Sequence, residues 1–149
     1  MKALFVDNDP VNRGVIHCLA TMAGINHAIV STAGEALAVL RGEAELAPGD
    51  WNLDTRAADN NIGVVVTDLS LPDMDGEELA REIRTSHPQT MIFANTLPEF
   101  LRGGELFERV FFKPRGNEDM MQAVLGVLGT VSECDLFRAM IPSAKFHAA

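Results

Sequence analysis

Residues 3–6, Ala-Leu-Phe-Val, form a short apolar run that stops at the polar turn Asp7-Asn8-Asp9-Pro10. This is the pattern of a buried parallel strand running into a loop. Val11, Val15, Leu19 and Met22 then recur at helical spacing, with Asp9 and Pro10 suited to the N-cap and first turn and Gly24 to the stop. The unit repeats as a strand over 27–33 and a helix over 34–46, where Ala36, Leu37 and Leu40 share a face. Residues 62–68, Ile-Gly-Val-Val-Val-Thr-Asp, run through β-branched residues without alternation, as burial on both faces requires, and end on Asp68. A helix over 77–85 with Leu79 and Ile83 inward and a strand over 90–95 follow. Next come a weak helical piece over 98–107, broken by Gly103-Gly104, and a strand over 109–113. A last helix over 117–131, with Met120, Met121, Val124, Leu125 and Leu128 inside, completes five strands alternating with five helices.

Such alternation predicts an α/β fold: a doubly wound, five-stranded parallel sheet with helices on both faces, joined by right-handed crossovers. Chemistry in such folds collects at the carboxyl ends of the strands. Three strand ends carry groups that could converge there: Asp7-Asn8-Asp9, Asp68, and Lys113-Pro114.

The 149 residues suit one domain, and 47% hydrophobic residues suffice for a core. Twelve basic against 21 acidic residues give a net charge of −9, which argues against binding a phosphate backbone, so no direct nucleic-acid partner is expected. Cys18 and Cys134 match neither a disulfide framework nor a metal motif and read as two buried thiols in a reducing, cytoplasmic compartment. No apolar run approaches the ~20 residues of a membrane helix, and Asp7 comes too early for a signal peptide. His17, His27, His87 and His147 show no metal-ligand spacing. Residues 47–61 are polar and turn-rich, and with Glu43 and Glu45 they make an enlarged acidic loop, 43–61, around Trp51.

Three ordered motifs carry a resemblance. The segment Val-Val-Thr-Asp-Leu-Ser-Leu-Pro-Asp-Met-Asp-Gly, ending at Gly76, resembles the phosphoacceptor strand and loop of the receiver domains of two-component response regulators. Phe-Phe-Lys-Pro at 111–114 and Leu-Phe-Val-Asp-Asn-Asp at 4–9 resemble that family's last-strand and first-strand signatures. The resemblance implies a flavodoxin-like strand order 2-1-3-4-5 over residues 1–130, a C-terminal extension over 131–149, and no output domain. It also implies that Asp68 accepts a phosphoryl group, that Lys113 contacts it, and that Asp7, Asn8, Asp68 and the Ser70 carbonyl hold Mg²⁺. The implied partners are a sensor histidine kinase or phosphotransfer protein and a downstream protein target, with no membrane. The chain would be a signalling domain rather than a conventional enzyme.

The chemistry is intelligible by itself. A carboxylate can attack phosphorus if the charge on the transferring group is neutralised. Two carboxylates about 4 Å apart repel by roughly 4 kcal/mol at an effective dielectric of 20, so a cation must accompany them. Lys113 and Mg²⁺ meet that need. The sequence departs from the family pattern at three places. Asn8 replaces the second acid of the first strand, Val110 stands three residues before Lys113 where an aromatic switch is expected, and the switch hydroxyl aligns with either Asn95 or Thr96. These departures raise an alternative, a pseudo-receiver that binds partners independently of phosphorylation. A phosphatase with Asp68 as nucleophile is disfavoured because Ser70 stands where that chemistry wants a second Asp. Asp9 reads as a helix cap rather than a metal ligand.

Overall fold

The computed structural model describes residues 1–43 and 61–129. Residues 44–60 of the enlarged loop with Trp51, and the extension over 131–149 with Cys134 and His147, therefore lie outside the described residues. Strands β1 (Lys2–Val6), β2 (His27–Val30), β3 (Ile62–Thr67), β4 (Met91–Thr96) and β5 (Arg109–Phe112) form one parallel sheet in the order β2-β1-β3-β4-β5. The α-helices among the described residues are α1 (Pro10–Met22), α2 (Ala33–Leu40), α3 (Gly76–Ser86) and α4 (Asn117–Leu128).

Two apolar layers sandwich the sheet. Leu4, Val65, Ile92 and Ala94 face α2 and α3, whereas Phe5, Val64, Val66 and Phe93 face α1 and α4. The alternation of side chains along each strand assigns the two sets. Ala36, Leu37, Leu40, Leu79 and Ile83 are buried, as are Met120, Met121, Val124, Leu125 and Leu128, so three of the predicted helix faces are the observed ones.

The structure corrects several expectations. The helical piece over 98–107 is two single 3₁₀ turns, Pro98–Phe100 and Gly104–Leu106, separated by a stretch containing Gly103, so the described residues hold four α-helices rather than five. Glycine's unfavourable helix entropy explains the break. The strand over 27–33 stops at Val30, because the Thr32 side chain caps α2 by accepting from Glu35 N. In α1 the periodic residues are not the buried ones: Val11 is 74% exposed and Met22 63%, while Asn12, Ile16 and Ala20 face the sheet. The two stripes lie about 100° apart around the helix, one residue out of phase. Cys18 is exposed rather than buried. No described helix is long and apolar enough to cross a membrane.

Candidate functional site

The candidate residues Asp7, Asp68 and Lys113 each stand one residue beyond a strand, where the backbone continues the sheet's hydrogen bonding by one rung. Asp7 N donates to Val30 O at 3.0 Å, Asp68 N to Val6 O at 2.8 Å, and Lys113 N to Thr96 O at 2.9 Å. This extra rung fixes three side chains from remote parts of the chain at one sheet edge, as parallel strands ending together require. Asp7 is 2% exposed and Asp68 9%.

Lys113 Nζ lies 2.8 Å from Asp7 Oδ2 and 2.9 Å from Asp68 Oδ2. One ammonium thus bridges two carboxylates, which leaves one net negative charge in the cleft. Burial, the largest single influence on Lys113, disfavours its charged form. The hydrogen bond and charge of Asp7, followed by those of Asp68, together outweigh it and hold the ammonium above its ordinary pKa. A cis peptide joins Lys113 to Pro114.

Asn95 and Thr96 point to opposite faces of the sheet. Thr96 Oγ1 lies 3.4 Å from Asp68 Oδ1. Asn95, one residue earlier, points to the opposite face of the sheet, where its Nδ2 donates to Asn117 Oδ1 at 3.1 Å. Asn8 is exposed at the rim. Ser70 N donates to Asp68 Oδ1 at 3.3 Å, which bends the loop after β3 around the carboxylate. Asp9 is the N-cap of α1, its side chain accepting from Val11 N at 3.0 Å. Gly76 supports the same loop: a Cβ there would overlap the carbonyl of Asp68 and lie 2.8 Å from Leu69 Cα. Val110 packs partly buried against the α2–α3 layer, Phe111 is in the other layer, and Phe112 is 40% exposed.

Some participants escaped sequence reasoning. Asp7 Oδ1 accepts from Asp9 N at 2.8 Å, Asp7 Oδ2 also accepts from Asn12 Nδ2 at 2.5 Å, and Arg13 Nη1 donates to the Asp7 carbonyl at 2.9 Å. The signal for Asn12 was a polar residue on the stripe of Ile16 and Ala20, legible only once that stripe is known to be the buried one. Asp73 was missed because its partners are 39 and 40 residues away. Its carboxylate accepts from Ala33 N at 3.0 Å and Gly34 N at 2.8 Å, tying the loop after β3 to the start of α2. Burial is the largest single influence and opposes its charge, but the backbone N–H groups of Gly34, Ala33 and Asp73 itself together prevail and lower its pKa. His17 and His27, given no role, lie in contact, with Nδ1 of His17 3.2 Å from Nε2 of His27.

Among the described residues no three His, Cys, Asp or Glu side chains cluster as a metal site. The cleft nonetheless fits a hard divalent cation: its two carboxylates, Asp7 and Asp68, offer oxygen ligands, and its net charge is negative. An open groove of about 800 Å³ leads from Asp68 and Lys113 past Asn8 and Asn12 to Val15 and Leu97, so an external group can reach Asp68.

No protein-family model matches the chain, and no curated protein matches it. Solved structures do. The signal receiver domain of an HD domain-containing protein from Pseudomonas fluorescens Pf-5 has a TM-score of 0.65 at 21% identity, over 86% of this chain and 94% of that one. The receiver domain of a sensor histidine kinase from Pseudomonas aeruginosa PAO1, with a magnesium ion coordinated in its active-site cleft, has a TM-score of 0.62 at 21% identity, over 87% and 98%. The response regulator TrrA from Thermotoga maritima, in complex with Mg²⁺ and BeF, has a TM-score of 0.65 at 19% identity, over 85% and 99%. With the strand order, the two helical layers and the acidic cleft at the strand ends, these likenesses show that the chain has the CheY-like, flavodoxin-type fold of response regulator receiver domains.

Proposed function

We propose that the chain is a receiver domain that takes a phosphoryl group onto Asp68 from a phosphohistidine of a kinase or phosphotransfer protein and signals through a protein partner. The observation that carries this reading is the Lys113 bridge between Asp7 and Asp68, a charge arrangement with a nucleophile, a counter-ion and room for a divalent cation at one groove.

In the proposed step, an Asp68 carboxylate oxygen attacks phosphorus in line, the phosphorus–nitrogen bond to the donor imidazole breaks, and the ring, protonated beforehand on its other nitrogen, takes the electron pair and leaves as neutral imidazole. Lys113 swings from Asp68 Oδ2 onto a phosphoryl oxygen, keeping its charge because its pKa is raised. Thr96 Oγ1, close to Asp68 Oδ1, is placed to donate to another phosphoryl oxygen. Asp7, Asp68 and the Ser70 carbonyl would hold Mg²⁺, with Asn8 at the rim. The bound ion would neutralise charge developing on the transferring group. The backbone N–H of Ser70 holds Asp68 Oδ1 throughout, so the carboxylate keeps its orientation while Lys113 moves. The chain would act as a signalling domain and catalyse at most its own phosphorylation and dephosphorylation.

The test is incubation with acetyl phosphate and Mg²⁺ followed by intact-mass spectrometry. One phosphoryl group is expected on the wild type and none on Asp68→Asn. No adduct at saturating donor would overturn the reading and leave the chain a phosphorylation-independent interaction module.

A further inference from the structure

Behind the cleft, three amide side chains stand in a layer that is mostly apolar. Asn12 of α1 is 8% exposed, Asn117 of α4 5%, and Asn95 of β4 2%. Asn95 Nδ2 donates to Asn117 Oδ1 at 3.1 Å, Asn117 Nδ2 to Asn12 Oδ1 at 3.5 Å, and Asn12 Nδ2 to Asp7 Oδ2 at 2.5 Å. Every link donates toward Asp7. At the far end Asn95 Oδ1 is buried with no hydrogen-bond partner.

This is an expensive way to fill a core. An unsatisfied buried acceptor costs about 1–3 kcal/mol, and leucine, branched at the same carbon, makes no polar demand. The direction of the chain has a cause, however. The Asp7 carboxylate accepts only, so it fixes the Asn12 N–H toward itself, and each amide in turn must present its own carbonyl to the next donor. A half-turn about the terminal torsion of an amide exchanges donor and acceptor at almost constant volume. The chain therefore has two directions in one packing. The Lys113 ammonium already on Asp7 Oδ2 leaves the Asn12 N–H donating there, whereas a divalent cation held by Asp7 takes oxygen ligands and so favours the Asn12 carbonyl in its place. In the reversed chain Asn117 donates to Asn95 Oδ1, and the unpaired position on β4 passes from an acceptor to an N–H. The 3.5 Å link between Asn117 and Asn12 is the longest and so the easiest to break.

We infer that Asn12, Asn117 and Asn95 form an amide relay whose direction is set by whether Asp7 holds a divalent cation and which carries the occupancy of the cleft to the end of β4, beside Thr96. The inference rests on the reading of the cleft as a cation-dependent phosphoacceptor site. The relay is a discrete two-state element of the kind that coupling between sites requires, and it needs no aromatic ring at Val110. Asn12 is a positioning residue for Asp7. Asn117 and Asn95 touch neither the acceptor nor the cation ligands.

The experiment follows the side-chain amide resonances of Asn95 and the backbone amides of Asp68 and Thr96 by NMR as Mg²⁺ alone is added to the full chain. In the wild type the Asn95 side chain is expected to move in step with Asp68. In Asn117→Leu, Asp68 is expected to respond at an Mg²⁺ concentration within about threefold of wild type, while the Asn95 side chain stays still. Asn117→Ala, which breaks the link without adding bulk, serves if the leucine variant does not fold, and Asn117→Gln, which keeps the amide, restores part of the response. An Asn95 side chain that still moves in the leucine or alanine variant, or that is silent in the wild type while Asp68 responds, overturns the relay and leaves the phosphoacceptor reading intact. No Mg²⁺ response at Asp68 overturns both.

Discussion

Thr96 Oγ1 lies 3.4 Å from Asp68 Oδ1 across adjacent strand ends, although the two residues are 28 apart in the chain. At that length the hydroxyl does little for the resting carboxylate, but it stands where an oxygen added to Asp68 would arrive. Thr96→Val keeps the shape and removes the donor. Phosphoryl uptake from acetyl phosphate is expected to slow by about tenfold, the worth of one hydrogen bond to a charged group. Intact-mass time courses measure it, and an unchanged rate would remove Thr96 from the mechanism.

Lys113→Met leaves Asp7 and Asp68 facing each other without their shared cation. The expected loss is about 2 kcal/mol, below the roughly 3–5 kcal/mol of a fully buried pair because the site opens onto solvent. Chemical denaturation with and without Mg²⁺ checks this, and the ion should stabilise the variant more than the wild type.

The same lysine predicts a dependence on alkaline pH. Because its folded pKa is raised above the ordinary 10.5, its contribution is complete below pH 10.5 and is lost as pH rises through the folded value. The stability difference between wild type and Lys113→Met should therefore be flat through neutral pH and shrink only above pH 10.5. A difference that already shrinks near pH 8 would show that Lys113 is not held charged.

Asp68→Asn removes one of two carboxylates sharing a single ammonium, while Asp7 keeps Lys113 paired. The variant should lose the phosphoryl adduct and yet unfold within about 1 kcal/mol of the wild type, or above it, since functional sites hold charge that stability does not need. Thermal denaturation alongside mass spectrometry separates loss of chemistry from loss of fold.

Asp73 is lowered in pKa by the two N–H groups at the start of α2, so its contribution is present above its ordinary value of 3.8 and is lost as pH falls through the lower folded value. Asp73→Ala should cost roughly 0.5–1 kcal/mol at neutral pH, in the lower part of the range for capping groups because the carboxylate is exposed. The gap to the wild type should close only below pH 3.8, as acid unfolding curves of the pair would reveal.

The strands were legible from sequence because each is a run of apolar residues ended by a polar turn, and five such runs admit few topologies. Asp68 and Lys113 were legible for the same reason: a strand end is marked in sequence, and parallel strand ends meet. What local pattern could not decide was phase and reach. Val11 and Val15 carry the same helical period as Asn12 and Ile16, and only the packing of α1 on the sheet decides which stripe is buried. Asn95 and Thr96 are neighbours, and only the pleat of β4 against β3 turns the threonine to Asp68 and the asparagine to Asn117. The bond from Asp73 to α2 and the amide chain behind Asp7 join residues 5 to 105 positions apart. The sequence by itself determined the order of elements and the acid and base at their ends, because these follow from local periodicity. The tertiary structure decided which side chains meet, because contacts between distant segments depend on register and packing that no local pattern contains.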